Sequence, residues 1–229
     1  MEKFFENINI PANIKHIKID IGLGLCNIYS QNWLKNESNL FVFMFEPNVD
    51  SINSSFNYTN QLSDIINKNN NSYFIIPVAL SNVENETKLD FYSMSRDGGT
   101  SSLYKPDDTI LGPIKSINKV SVFSLKNFFD LFPWDRFQYI EYIKIDAQGA
   151  DLDIIKSAGK YLSDKVIFIT AEPENTIYNN CIDNTVENME KYLNEQGFTK
   201  INHPNTQDPT FINNKFKHLY DHIYINQKI

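Results

Sequence analysis

Three acidic residues in this chain stand where a hydrophobic run meets a turn. Carboxylates so placed suit recognition of a nucleoside or of a cationic group. Ile17-Lys18-Ile19-Asp20 leads into Ile21-Gly22-Leu23-Gly24, and Phe41-Val42-Phe43-Met44-Phe45 leads into Glu46-Pro47. The word Ile-Lys-Ile-Asp recurs as Ile143-Lys144-Ile145-Asp146, followed by Ala147-Gln148-Gly149-Ala150-Asp151. In open α/β sheets ligands bind beyond the carboxyl ends of the strands, so an acid at a strand's last position faces the crevice. Glycines in the turn let main chain approach a ligand closely. An acid in the position of Glu46 can accept both hydroxyls of a ribose, a geometry that serves NAD and S-adenosylmethionine alike. The first turn separates the two. A dinucleotide fingerprint needs a third glycine, and Asn27 stands there. The charge of Asp20 would repel a pyrophosphate and matches the ammonium and sulfonium groups of S-adenosylmethionine.

The elements that must position these acids follow from the hydropathy pattern. Residues 14–21 form a strand, and residues 27–36 a helix with Ile28 and Trp33 on its apolar side. The continuous run 41–45 is a central strand buried on both faces, ended by Pro47. Helical segments follow at 48–57 and 60–68, then a buried strand over 73–80. Residues 87–95 alternate as a more exposed strand. The turn Asp97-Gly98-Gly99-Thr100-Ser101-Ser102 is either a simple turn or a flap over an acceptor. Residues 105–116 are a loop, 120–122 a short strand, and Ser124 caps a helix through Phe132. Further strands are predicted over 139–146 and 166–171 (the latter running into Glu172-Pro173), with a helix over 149–160 between them. A helix over 183–196 places Val186, Met189 and Leu193 on one face, and residues 198–202 and 223–225 close the chain as a strand pair. Alternation of strand and helix predicts a mostly parallel sheet covered on both faces.

On these segments the chain resembles the FkbM family of S-adenosylmethionine-dependent methyltransferases. The carrying pieces are Ile19-Asp20-Ile21-Gly22-Leu23-Gly24, Phe45-Glu46-Pro47-Asn48, Val78-Ala79-Leu80-Ser81, Ser124-Leu125, and Tyr142-Ile143-Lys144-Ile145-Asp146-Ala147-Gln148-Gly149-Ala150-Asp151. The resemblance implies a class I methyltransferase fold, a Rossmann-like α/β three-layer sandwich. Its sheet has seven mostly parallel strands, the last one antiparallel. It also implies roles: Asp20, Gly22 and Gly24 hold the methionine end of the cofactor, Glu46 with Pro47 binds the ribose, Ala79 and Leu80 border the adenine, and Asp146 lies near the transferring methyl. Three positions depart from the family pattern. Gly22-Leu23-Gly24 stands for Gly-Ala-Asn, Gln148 replaces an acid, and the acid after Gly-Ala is shortened to Asp151. No metal site is expected.

The implied reaction is O-methylation of a hydroxyl on a sugar, glycan or related small molecule. A hydroxyl has a high pKa and gains from a general base. Asp146, Glu172 and His203 are the catalytic candidates, with Asp208 beside them. His203 sits in a polar loop joining the last two strands, and an imidazole titrates near neutrality; His16, His218 and His222 are weaker candidates. Two alternatives are an NAD-dependent sugar-modifying oxidoreductase and a non-catalytic cofactor-binding scaffold. The oxidoreductase's one attraction, Tyr161-x-x-x-Lys165, falls at the opposite end of the sheet.

Length and composition bound the rest. The 229 residues suit a single domain, 1–229, with an insert of short strands and the glycine-rich turn around 87–123. A net charge of −7 and a pI near 5.1 disfavour a nucleic-acid partner. Cys26 and Cys181 are expected as free thiols. The first residues lack a signal-peptide pattern and no run is long enough to span a membrane, so a cytoplasmic protein is expected. Its assembly is open, a homodimer included.

Overall fold

The computed structural model describes residues 1, 6, 8–203 and 206–219. In chain order the first elements are β1 (His16–Ile21), α1 (Ile28–Asn36), β2 (Leu40–Phe45), α2 (Val49–Asn60), α3 (Ser63–Lys68), β3 (Ser72–Ile76), β4 (Ala79–Leu80), β5 (Thr87–Met94), α4 (Asp108–Leu111) and β6 (Ile114–Phe123). Then come α5 (Leu125–Phe129), β7 (Ile140–Ile145), α6 (Asp151–Ser157), α7 (Tyr161–Lys165), β8 (Val166–Ala171), α8 (Val186–Glu195), β9 (Phe198–Ile201) and β10 (Thr210–Asn213).

Seven strands form one sheet in the order β3-β2-β1-β7-β8-β10-β9. Its pairings are parallel from β3 through β8, and β10 runs antiparallel to both its neighbours. The continuous apolar runs account for its centre, because β2, β7 and β8 are buried at every position. On one face α5, α6, α7 and α8 pack through Phe128, Phe129, Ile154, Ile155, Leu162, Met189 and Leu193. Phe128 meets Phe43 and Phe45 edge-on, the arrangement aromatic quadrupoles prefer. On the other face Trp33 and Leu34 of α1 and Ile66 of α3 cover Val42, Met44 and Tyr142.

The repeated Ile-Lys-Ile-Asp words lie side by side. β1 and β7 pair so that Lys18 faces Tyr142 and Asp20 faces Lys144. Both lysines are buried on the α1 side of the sheet. Lys18 Nζ is 2.5 Å from Glu37 and 3.2 Å from Glu141, and it lies over the ring of Trp33.

Four expectations need correction. The run 73–80 is not one strand: Pro77 has no N–H to continue a ladder, so β3 stays in the large sheet while β4 joins a three-stranded sheet, β4-β6-β5. The loop expected at 105–116 contains α4 and the start of β6, and the short strand at 120–122 is only the end of that ten-residue strand. The partner of β9 is β10; residues 223–225, assigned that place from the pattern, lie outside the described residues, as does His222. Ile28 is 63% exposed, and Trp33 and Leu34 carry the packing of α1.

Candidate functional site

The carboxyl ends of β1, β2 and β7 converge because main chain meets main chain. Gly22 N–H donates to Phe45 C=O at 3.0 Å, and Asp146 N–H donates to Ile21 C=O at 2.8 Å. At Gly22, with φ +78°, a Cβ would lie 1.8 Å from the Asp146 carbonyl oxygen, so only glycine fits. Gly24, φ +54°, has open space, with Gly99 Cα 3.8 Å from the position a Cβ would take. The third turn position, Asn27, also takes the left-handed conformation (φ 35°), and its side chain donates to Thr59.

Glu46 is buried at the floor of the resulting cleft. Its carboxylate accepts from Leu23 N–H at 3.0 Å and Asn48 N–H at 2.8 Å, which pins the first turn to the end of β2. Burial pushes this carboxyl up to about 7, against the pull of the backbone donors at Asn48, Leu23 and Gly24. Asp20 turns the other way. It accepts from Ser30 N–H at 3.1 Å and from the Ser30 hydroxyl, and so anchors the first turn of α1. Burial raises it to about 6, opposed by those bonds and by Lys144.

The space between these elements, open mouth included, is about 480 Å³. Gly22, Gly24, Glu46, Pro47, Ala79, Leu80 and Asp146 line it, and Asp20, Glu172 and His203 do not. Val78, Ala79 and Leu80 give an apolar wall facing Phe91 of β5, and Gly98, Gly99, Ser101 and Leu103 form the roof. The glycine-rich turn is therefore a short 3-10 segment over this cleft, capped by Asp97. A flat apolar slot, a buried acid at its middle and a glycine surface beside it fit the base, ribose and chain of a nucleoside such as S-adenosylmethionine.

Beyond the cleft lies a polar cluster that the sequence pattern did not reveal. Gln148 Nε2 donates to Asp146 Oδ1 at 2.7 Å. The Tyr178 hydroxyl lies 2.7 Å from Gln148 Oε1 and 2.9 Å from Thr100 C=O, sharing one proton between two acceptors. Lys144 Nζ is 3.7 Å from Asp146 Oδ2 and 3.8 Å from Asp208 Oδ2, and it donates to Ile145 C=O at 3.1 Å. Burial would lower Lys144, but Asp146 and Asp208 outweigh it and hold it above its ordinary value. Glu172, one residue past β8, is raised to about 7 by partial burial and then by the negative charge of Asp146. Asp151, raised to about 6 by burial and then by Asp146, sits beneath the cluster and accepts from Asn184 at 3.3 Å. His203 packs edge-on against Tyr142, with ring centroids 6.3 Å apart.

At the other end of β1, ligating atoms of His16, Glu37 and Glu141 lie within 4.8 Å of one another. The Lys18 ammonium already fills the cation position between the two carboxylates. Among the described residues no helix is long and apolar enough to cross a membrane.

A model of the methyltransferase FkbM domain matches residues 27–200, a stretch that begins after Gly24 and includes Glu46, Asp146 and Glu172. No curated protein matches the chain in sequence. A crystal structure of methyltransferase FkbM from Methylobacillus flagellatus KT superposes with a TM-score of 0.51 at 12% identity, over 91% of this chain and 46% of that one. The chain thus spans about half the length of that protein. The human methyltransferase 10 domain containing protein gives 0.44 at 11% identity, over 91% of this chain and 77% of that one. The N-terminal domain of human METTL16 in complex with SAH gives 0.42 at 11%, over 92% and 65%.

Proposed function

Because the chain belongs to the methyltransferase FkbM domain family, we propose that it is an S-adenosylmethionine-dependent O-methyltransferase acting on a hydroxyl of a sugar, glycan or related small molecule. The observation that carries this reading is Glu46, a buried carboxylate held on the cleft floor by two backbone donors, opposite an apolar slot. In this reading Glu46 accepts the ribose hydroxyls. The slot between Ala79, Leu80 and Phe91 takes the adenine, and Gly22 and Gly24 leave room for the methionine end. Asp20 acts at one remove, by fixing the first turn of α1 through Ser30. Bound S-adenosylmethionine supplies an electrophilic methyl group. The protein's contribution is to align the acceptor oxygen with that methyl and to exclude water, which can supply much of the acceleration. Asp146 faces the methyl side of the cleft, and Glu172 and His203 are the further groups offered as bases to the acceptor. The acceptor class itself comes from the family resemblance.

The test is titration calorimetry with S-adenosylhomocysteine. Glu46→Ala removes charge-assisted hydrogen bonds worth roughly 1.5–3 kcal/mol each, so affinity should fall by about 100-fold or more. Unchanged affinity in that variant, or a rise in melting temperature with NAD and none with S-adenosylhomocysteine, overturns the reading.

A further inference from the structure

We infer that Gln148 is a positioning residue that latches the roof of the cleft to its floor, and so sets how long a bound cofactor is retained. Retention of the cofactor rests on the methyltransferase reading above. The latch itself is read from contacts alone.

The roof is fixed along β5 and at its ends. Tyr92 and Ser102 exchange both main-chain hydrogen bonds, at 2.8 and 3.1 Å, and Met94 N–H donates to the Ser101 hydroxyl at 3.1 Å. Asn48 donates to the same hydroxyl at 3.4 Å, and beyond the roof the Tyr104 hydroxyl donates to Asp153 of α6 at 2.6 Å. Gly98, Gly99, Ser101 and Leu103 line the cleft, whereas Thr100 and Ser102 do not. These two meet the floor at Gln148. The Ser102 hydroxyl donates to the Gln148 main-chain carbonyl at 2.6 Å. Thr100 is reached through Tyr178, whose single hydroxyl proton serves the Thr100 carbonyl and Gln148 Oε1.

Gln148 is in turn fixed to the end of β7. An ionised Asp146 can only accept, so the amide NH2 faces it at 2.7 Å and the amide oxygen is left for the Tyr178 hydroxyl. A carboxylate at position 148 would have no proton to give Asp146 and would face it with like charge. The other oxygen of Asp146 is held by buried Lys144, 3.7 Å away. An unbroken polar chain thus runs from Lys144 through Asp146, Gln148 and Tyr178 to Thr100 in the roof. Tyr178 is buried with its ring against Gly149, so packing aims its hydroxyl. Gln148 stands in the left-handed region at φ 51°. A side chain there is strained and persists where surrounding contacts fix it.

The test is hydrogen–deuterium exchange of the cofactor-free chain, read over peptides spanning residues 98–104. Gln148→Gly deletes both side-chain bonds, keeps the main-chain carbonyl and suits a positive φ. Tyr178→Phe deletes the hydroxyl and keeps the ring. Each should quicken exchange at 98–104 by about tenfold, while β2 and β7 exchange as in the parent. Because the two residues act in one chain, the double variant should fall well short of the product of the single effects. Parent-like exchange at 98–104 in either variant, equal quickening in β2 and β7, or a full product in the double variant overturns the latch. Tyr178→Phe remains informative if Gln148→Gly does not fold. Dissociation of S-adenosylhomocysteine, followed by stopped flow, should quicken by about the same factor in each single variant. Unchanged dissociation beside a loosened roof overturns the retention claim. If the parent chain binds no S-adenosylhomocysteine, the methyltransferase reading fails, whereas exchange still decides whether the latch exists.

Discussion

Replacing Glu46 by glutamine should cost the cofactor-free protein about 1–2 kcal/mol at acidic pH and stabilise it by a similar amount at alkaline pH. Glu46 is 5% exposed, and burial lifts its carboxyl from 4.5 to about 7. The sign follows from proton linkage. The native state holds a proton through that window that the unfolded state has lost, so stability is full below about 4.5 and falls until about 7. At 1.36 kcal/mol per pH unit the fall is about 3 kcal/mol. Glutamine keeps the shape and accepts one of the two N–H groups from Leu23 and Asn48, but turns its own amide N–H toward the other. That mismatch costs about 1–2 kcal/mol and does not change with pH. The variant minus parent difference should therefore rise by about 3 kcal/mol between pH 5 and pH 8.5. For a chain of this length that corresponds to about 6–12 °C in melting temperature. Circular-dichroism melts of the two cofactor-free proteins at both pH values measure it. Asp20 and Asp151 titrate in both proteins, so they cancel in the difference. A difference that stays flat across the pH range would falsify the claim that Glu46 is a desolvated charge.

Two further outcomes follow from the packing. Gly22→Ala drives a methyl group into the Asp146 carbonyl at a positive φ; it should cost more than about 3 kcal/mol in urea unfolding, and a loss below 1 kcal/mol would show that the two strand ends do not touch. Lys18→Met leaves Glu37 and Glu141 facing each other without their ammonium. It should destabilise by about 3–5 kcal/mol at pH 8 and by less at pH 5, where a carboxyl can take up a proton; an equal loss at both pH values contradicts the ion-pair account.

The sheet was legible because its central strands are written as continuous apolar runs ending in an acid or a proline. The cleft was legible where its walls are main chain and strand ends, as at Gly22, Glu46 and Asp146. Side-chain direction was not. Asp20 is the last residue but one of β1 whereas Asp146 lies one residue past β7, and the Asp20 carboxylate turns to Ser30 on α1. The split at Pro77 was hidden because Ile75, Ile76, Val78, Ala79 and Leu80 are equally apolar on either side. β6 escaped because all of its first seven residues are exposed or half-exposed, so burial leaves no alternation to see. β10 is four residues long and carries only two large apolar side chains, Phe211 and Ile212, too short a run to outweigh Ile223-Tyr224-Ile225. Lys144 was missed because its partner Asp208 comes from a loop far along the chain.

The segment that follows the roof of the cleft, residues 105–107, is sewn by main chain to residues 177–179. Asp107 N–H donates to Ile177 C=O, Asn179 N–H donates to Lys105 C=O, and Pro106 bridges Tyr178. Peptide groups are the same in every residue, so this seam asks little of the side chains at 105, 177 and 179, whereas Tyr178 also holds the roof through its hydroxyl on the Thr100 C=O. Selection can therefore rewrite much of both segments while the roof keeps its height above Gly24. A lid of this kind leaves no signature for sequence comparison. Relatives whose floor is recognisably alike are free to carry roofs that look unrelated and admit different acceptors.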